Sequence, residues 1–302
     1  MNNARQLPKI VNVASVPQRS PFRYPGGKTW LVPYLRAWLK SLPFRPQLFV
    51  EPFLGGGIIS LTVGFEQLAD EVAMVELDED VAAVWRAILG KDAKWLASRI
   101  QSFDISVDNV RAELAKPVRS VRQRAFNTIL KNRTFHGGIL AHGAGLLKHG
   151  ENGKGIKSRW YADTLCERIS NISTIRDRFD FFQEDGIDFI AQRATNPTTV
   201  FFIDPPYTAG GNGKRAGRRL YKYSELDHGK LFDVACQTAG DFLMTYDNDP
   251  EVVAMAKQMG FDTAVVPMKN THHAEMVELL IGKNLQWARS LFQPPPQQAL
   301  FD

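Results

Sequence analysis

The chain has 302 residues, 44% hydrophobic and 23% charged, enough to bury one large core or one core plus a lobe. It contains no run of eighteen apolar residues and its first residues carry no signal-peptide core, so the expectation is a soluble, unexported, cytoplasmic protein without a membrane span. Cys166 and Cys236 lie far apart in sequence with no second cysteine near either, which fits a reducing compartment, and the six histidines lack ligand spacing, so no metal site is expected. The adjacent pair His272-His273 reads as solvated. The net charge of +5 is unevenly placed: from Arg111 to Arg159, eleven basic residues stand against Glu113 and Glu151, a local net of +9 that leaves −4 for the rest. Arg122, Arg124 and Arg133 belong to this basic stretch.

In chain order, the apolar pattern is a β/α alternation broken once. Residues 47–53 read as a first strand, Gly55-Gly56-Gly57 as its turn and Ile58 to Leu68 as the following helix. Residues 72–77 read as a second strand and 80–89 as its helix. From about 91 to 178 the pattern is helical, basic and punctuated by glycines, without a continuous apolar strand. Alternation then resumes with a strand at 179–184, a helix at 187–193, a strand at 200–203, a helix at 228–239, a strand at 241–246, a helix at 250–259 and two strands at 261–268 and 275–281. This predicts an α/β catalytic domain built from 20–90 and 179–290, an inserted lobe at 91–178, and a Pro-rich tail at 291–302.

Two places carry chemistry. Val200-Phe201-Phe202-Ile203 reads as a strand buried on both faces, so Asp204-Pro205-Pro206-Tyr207 falls at its carboxyl end, where open α/β sheets place their ligands. Asp204 and the Pro205 carbonyl can accept hydrogen bonds from one amine while Tyr207 offers a face to a flat ring; this suits the exocyclic amine of an aromatic base. The alternative is a Pro-stiffened turn with a surface tyrosine. The loop that follows holds Lys214, Arg215, Arg218, Arg219 and Lys222 among glycines, either a grip on a phosphate backbone or a solvated loop.

The second place is the end of the first strand. Glu51-Pro52-Phe53-Leu54-Gly55-Gly56-Gly57 lets backbone approach a ligand closely, and Glu76, nineteen residues past Gly57, stands where nucleotide-type folds hold a ribose diol. The dinucleotide pattern G-x-G-x-x-G is absent, so a pyrophosphate need not be bound. S-adenosylmethionine fits, and carboxylates nearby are compatible with its sulfonium charge.

These residues resemble the Dam-like DNA adenine methyltransferases, over about residues 21–284. The resemblance rests on Phe22-Arg23-Tyr24-Pro25-Gly26-Gly27-Lys28, on Phe49-Val50 with the glycine turn, on the Asp204 tetrad and on Glu278-Leu279-Leu280-Ile281. It implies a Rossmann-like S-adenosylmethionine methyltransferase sheet with a mainly helical target-recognition lobe inserted. Tyr24, Lys28, Glu51, Phe53, Gly55 and Gly57 would contact the cofactor and Glu76 its ribose. Asp185 would accept from the cofactor's adenine, with an apolar contact from Ile187 in place of the aromatic that relatives often carry. Asn132-Arg133 before Gly137-Gly138 resembles the start of the family's recognition hairpin; beyond it, His142 to Lys148 departs from the residues that read GATC, which implies a different target. Arg23 would contact a base beside the target adenine, or else a phosphate, or stay solvated.

The reaction implied is direct methyl transfer to a flipped adenine in duplex DNA, with Asp204, Pro205, Pro206 and Tyr207 as the catalytic set. An RNA substrate fits the same charge, and a catalytically weak DNA-binding or clamp-recruited protein is the reading from another class. The sequence is silent on a partner restriction enzyme. After Pro294-Pro295-Pro296 comes Gln297-Gln298-Ala299-Leu300-Phe301-Asp302, in which Gln297, Leu300 and Phe301 resemble the short peptide that docks on bacterial sliding clamps; packing back onto the domain is the alternative.

Overall fold

The computed structural model describes residues 11–23, 26–138, 140, 145–150, 153–206, 226–269 and 275–291. Strands β1 (Leu48–Glu51), β2 (Glu71–Val75), β3 (Phe179–Phe182), β4 (Thr199–Ile203), β5 (Asp241–Asp247), β6 (Asp262–Lys269) and β7 (Glu275–Gly282) form one sheet in the order β3-β2-β1-β4-β5-β7-β6. The first five are parallel; β7 runs antiparallel to both β5 and β6. All five residues of β4 are buried, as its unbroken apolar run requires of a central parallel strand. Successive residues alternate between faces: Val200 and Phe202 join one apolar cluster, Phe201 and Ile203 the other.

Helices cover both faces. On the Phe202 side lie α1 (Val32–Ser41), α2 (Ile58–Glu66) and α3 (Glu79–Leu89); on the Phe201 side lie α8 (Gly186–Arg193), α9 (His228–Cys236) and α10 (Pro250–Gln258), with a short α11 (Gln286–Ser290) after β7. Asp side chains cap α3, α8, α9 and α10 by accepting from first-turn amides, and Pro250 opens α10 where its missing N–H costs nothing.

Segment 91–178 is helical as expected: α4 (Ala93–Ser102), α5 (Val107–Leu114), α6 (Val121–Thr134) and α7 (Ala162–Thr174), with one bridge between Phe135 and Leu146. Its apolar side chains, among them Leu96, Ile100, Phe126, Ile129 and Ile169, belong to the same cluster as Phe49, Met74 and Phe202 of the sheet.

The expected elements are present, some ending a few residues early and others running a residue longer. The strand expected at 47–53 stops at Glu51, because Pro52 has no amide hydrogen and the chain turns so that the Leu54 amide donates to Val75 O. The strand expected at 72–77 stops at Val75, because both oxygens of Glu76 bind backbone amides outside the ladder. Helix α1 was not expected from the pattern, although Pro33 opens it and Val32, Leu35, Trp38 and Leu39 give it a buried face. Among the described residues, no helix is long and apolar enough to cross a membrane.

Candidate active site

The sheet reverses direction of growth between β1 and β4, so their carboxyl ends diverge and leave a crevice, the position where open α/β sheets bind ligands. Glu51 closes β1 and Asp204 follows β4. A cavity occupies this crevice, lined by Gly26 to Lys28, by Glu51 through Ile58, by Glu76, Leu77 and Asp78, by Asp185 and Gly186, and by Asp204, Pro206 and Leu226.

Asp204 is held from two sides. Its Oδ1 accepts from Thr245 Oγ1 of β5 at 2.7 Å and lies 3.0 Å from Lys28 Nζ. Lys28 is buried, 4% exposed, and its Nζ also lies 3.0 Å from Glu278 Oε1 of β7 and 3.1 Å from the Gly26 carbonyl. Burial alone would lower the Lys28 pKa; the charges of Asp204 and Glu278 outweigh it and hold the ammonium above the ordinary lysine range. Sequence reasoning gave Lys28 to the cofactor and assigned no chemistry to Thr245 or Glu278. Their pairing brings together residues up to 250 positions apart in the chain, for which no local pattern is a signal.

The glycine turn is fixed by its neighbours. Gly57 sits at φ +62°, where an added Cβ would lie 2.8 Å from Trp85 Cζ2 of α3, and Trp85 Nε1 donates to Gly55 O at 3.1 Å. Gly186 is needed for close approach: a Cβ there would lie 2.4 Å from Pro52 O. Glu76 accepts from the Gly55 amide at 2.9 Å through one oxygen and from the Asp78 amide at 2.8 Å through the other. Burial pushes its carboxyl up to about 7 against the pull of those amides. Glu51 accepts from the Ser60 amide at 2.8 Å; burial pushes it up to about 8, with Asp204 and Glu76 adding to the rise against the Ser60 bonds.

The expected cofactor residues Lys28, Glu51, Phe53, Gly55, Gly57, Glu76 and Asp185 all line the cavity, as do Asp204 and Pro206. Asp185 does so while its Oδ1 caps α8 through the amides of Ile187 and Asp188. Ile187 does not: its side chain is buried in the apolar cluster beneath α8 with Val75 and Phe201, because helix periodicity turns it toward the sheet. Besides Phe53, the apolar side chains at the cavity include Leu77 and Leu226, neither of which the sequence singled out.

Of the basic-segment residues expected to meet DNA, two are buried and two lie at the surface with partners of their own. Asn132 is fully buried and serves the main chain: Oδ1 accepts from the Arg23 amide at 2.9 Å, while Nδ2 donates to Arg23 O at 3.0 Å and Gly138 O at 2.9 Å. Arg133 is also buried and donates to Pro21 O; burial, with Arg168 and Arg23 nearby, pulls its guanidinium down to about 9. Arg124 is ion-paired with Asp80 at 2.8 Å and Glu79 at 3.3 Å, at the start of α3. Arg122 is exposed but lies 4.9 Å over the ring of Trp95. With Ser20 O held by Arg168 and Ser20 Oγ donating to Gly56 O, segment 20–23 runs as a clamped strut between the glycine turn and α6 and α7. Arg23 emerges from this strut. Tyr24, Tyr207, Lys214, Arg215, Arg218, Arg219, His272, His273, Gln297, Leu300 and Phe301 lie outside the described residues.

The donor set tests the fit of a cofactor. Among the described residues, Glu51, Glu76, Asp78, Asp185 and Asp204 line the cavity against one cation, Lys28, so this lining suits a positively charged ligand better than a pyrophosphate. Each Glu76 oxygen, having one amide donor, retains capacity for a hydroxyl donor. Both features fit S-adenosylmethionine.

Neither a protein-family model nor a curated protein matches the chain. Solved structures do. A protein from Pyrococcus horikoshii described as a candidate RNA methyltransferase covers 91% of each chain at 10% identity and a TM-score of 0.39. The precorrin-8W decarboxylase of Methanobacterium thermoautotrophicum is also 10% identical, over 86% of this chain and 93% of that one, with a TM-score of 0.35. At those scores the similarity carries no functional argument; the fold itself, read from the sheet order, is a Rossmann-like, mostly parallel sheet with one reversed strand, β7.

Proposed function

We propose that the protein is a site-specific, adenine-directed DNA methyltransferase that uses S-adenosylmethionine. The observation that carries this reading is the placement of Asp204-Pro205-Pro206 at the carboxyl end of β4, with Asp204 Oδ1 fixed by Lys28 and Thr245 beside an acid-lined cavity. The cofactor supplies a methyl group made electrophilic by its sulfonium. Glu76 would hold the ribose, the glycine turn the methionine part, and Glu51 the cationic charge.

The chain's own task is to make a poor nucleophile reactive. An adenine amine has its lone pair delocalised into the ring. Accepting hydrogen bonds from that amine, Asp204 and the Pro205 carbonyl favour a pyramidal nitrogen whose lone pair is aimed into the cavity, and the gain is one of position and charge placement. A nitrogen that took the methyl group, its bond to sulfur broken and a neutral thioether left behind, would carry a proton too many, and Asp204 would be the acceptor at hand. A flipped base costs a few kcal/mol to extrude, which stacking on Tyr207 and phosphate contacts from the basic loop would offset. In this reading Asn132 and Arg133 act on DNA only through the strut that carries Arg23.

Tritium transfer from S-adenosylmethionine to duplex DNA, single-stranded DNA and duplex RNA, followed by nucleoside digestion and mass spectrometry, tests the proposal. Label in N6-methyladenine from duplex DNA is the expected result. Label in RNA alone overturns the substrate, and no label in any of the three overturns the enzyme.

A further inference from the structure

Glu278 is buried on β7, 6% exposed, and does not line the cavity. Its Oε1 lies 3.0 Å from Lys28 Nζ, which is equally far from Asp204 Oδ1 and 3.1 Å from Gly26 O. An ammonium has three N–H donors, and these are three acceptors within reach of it. Were Asp204 the sole carboxylate partner, the buried ammonium would cancel its charge and draw its electron density away from a substrate amine. With Glu278 as a second partner the trio keeps a net charge of −1, and Lys28 stays anchored when a substrate competes for Asp204. Thr245 fixes the same Oδ1 from β5 at 2.7 Å. A buried ion pair is a poor stabiliser compared with apolar side chains of the same volume, so packing alone does not account for this arrangement.

We propose, on the methyl-transfer reading above, that Glu278 is a positioning residue: it holds Lys28 so that the ammonium orients Asp204 without neutralising it. Glu278→Gln keeps an acceptor for Lys28 and removes the charge. Its single-turnover methylation rate should fall at least tenfold, while S-adenosylmethionine affinity by calorimetry stays within twofold of wild type. The double variant Lys28→Met with Glu278→Met replaces the ion pair by apolar side chains that a core tolerates; it should fold and remain at least tenfold slow. A wild-type rate in either variant, or a loss confined to cofactor affinity, overturns the assignment. If Glu278→Gln does not fold, the double variant decides; if neither folds, Glu278 is structural and the assignment falls. Should the wild type methylate none of the nucleic acids, the functional reading fails by itself. The linkage is then judged by melting Asp204→Asn, Glu278→Gln and their combination: shifts in Tm that do not add support it, and additive shifts overturn it.

Discussion

Replacing Glu51 by Gln should stabilise the cofactor-free protein, and increasingly so as pH rises. Glu51 is 4% exposed, with Ser60 as its hydrogen-bond donor and Asp204 and Glu76 as like charges nearby; burial first, and those charges next, push its carboxyl from 4.5 to about 8. Because the folded value is raised, the carboxyl's contribution to stability is fully present below pH 4.5 and is lost as pH rises through about 8. Each pH unit in that window costs the fold ~1.4 kcal/mol, so at pH 7 the cost relative to a neutral amide is on the order of 3 kcal/mol. Urea unfolding of wild type and Glu51→Gln between pH 5 and pH 8 measures it, the difference between the two isolating this group from all others. The gap should widen with pH in favour of Gln. A cationic ligand in the cavity favours the ionised form, so S-adenosylmethionine binding at pH 7 should release a proton from the wild type and none from this position in the variant, read by calorimetry in buffers of different ionisation enthalpy. Parallel pH profiles for the two proteins would refute the reasoning.

Asp204→Ala should lower the methylation rate at least ~100-fold while leaving cofactor affinity within a few-fold, since it deletes one preorganised acceptor; activity within a few-fold of wild type sinks the mechanism. Gly57→Ala puts a Cβ 2.8 Å from Trp85 Cζ2 at φ +62° and should cost ~1–3 kcal/mol in denaturant unfolding, so an unchanged midpoint would show that the turn relaxes freely. Asn132→Ala removes its bonds to Arg23 and Gly138; a loss of ~1–3 kcal/mol is expected, and both this variant and Arg23→Ala should relax base preference beside the target. Preference intact in the Asn132 variant alone would uncouple the strut from recognition. A 292–302 peptide should bind the host's sliding clamp in fluorescence polarisation at tens of micromolar or tighter and lose binding with Leu300→Ala and Phe301→Ala; no binding removes the docking idea.

What the sequence made legible was whatever depends on neighbours in the chain. The unbroken apolar run of β4 forces burial on both faces, and that alone puts Asp204 at a strand end in the crevice. Gly57, just before α2, marks the turn because a side chain there would strike Trp85. What it left out mostly involves partners far off in sequence. Asn132 and Arg133 look like surface residues by type, but their partners at Pro21 and Arg23 lie more than a hundred residues earlier. Arg124 reads as a free cation until α3 brings Glu79 and Asp80 against it. Ile187 was assigned by its closeness in sequence to Asp185, yet one further residue on a helix turns a side chain by roughly a quarter-circle or more, enough to take it from the cavity to the core.

The single apolar cluster that unites α4, α6 and α7 with one face of the sheet bears on how such a protein can be re-engineered. Segment 91–178 is bounded by the end of α3 and the start of β3, which invites exchanging it whole. Its apolar side chains, however, form one cluster with Trp85 of α3 and with Met74 and Phe202 of the sheet, and the strut at 20–23 is tied to it through Asn132, Arg133 and Arg168. A transplanted segment would arrive with the wrong contour on one side and no matching strut on the other. Chimeras should therefore carry residues 20–23 and α3 along with the segment, or leave the helices in place and change only side chains on their outer face.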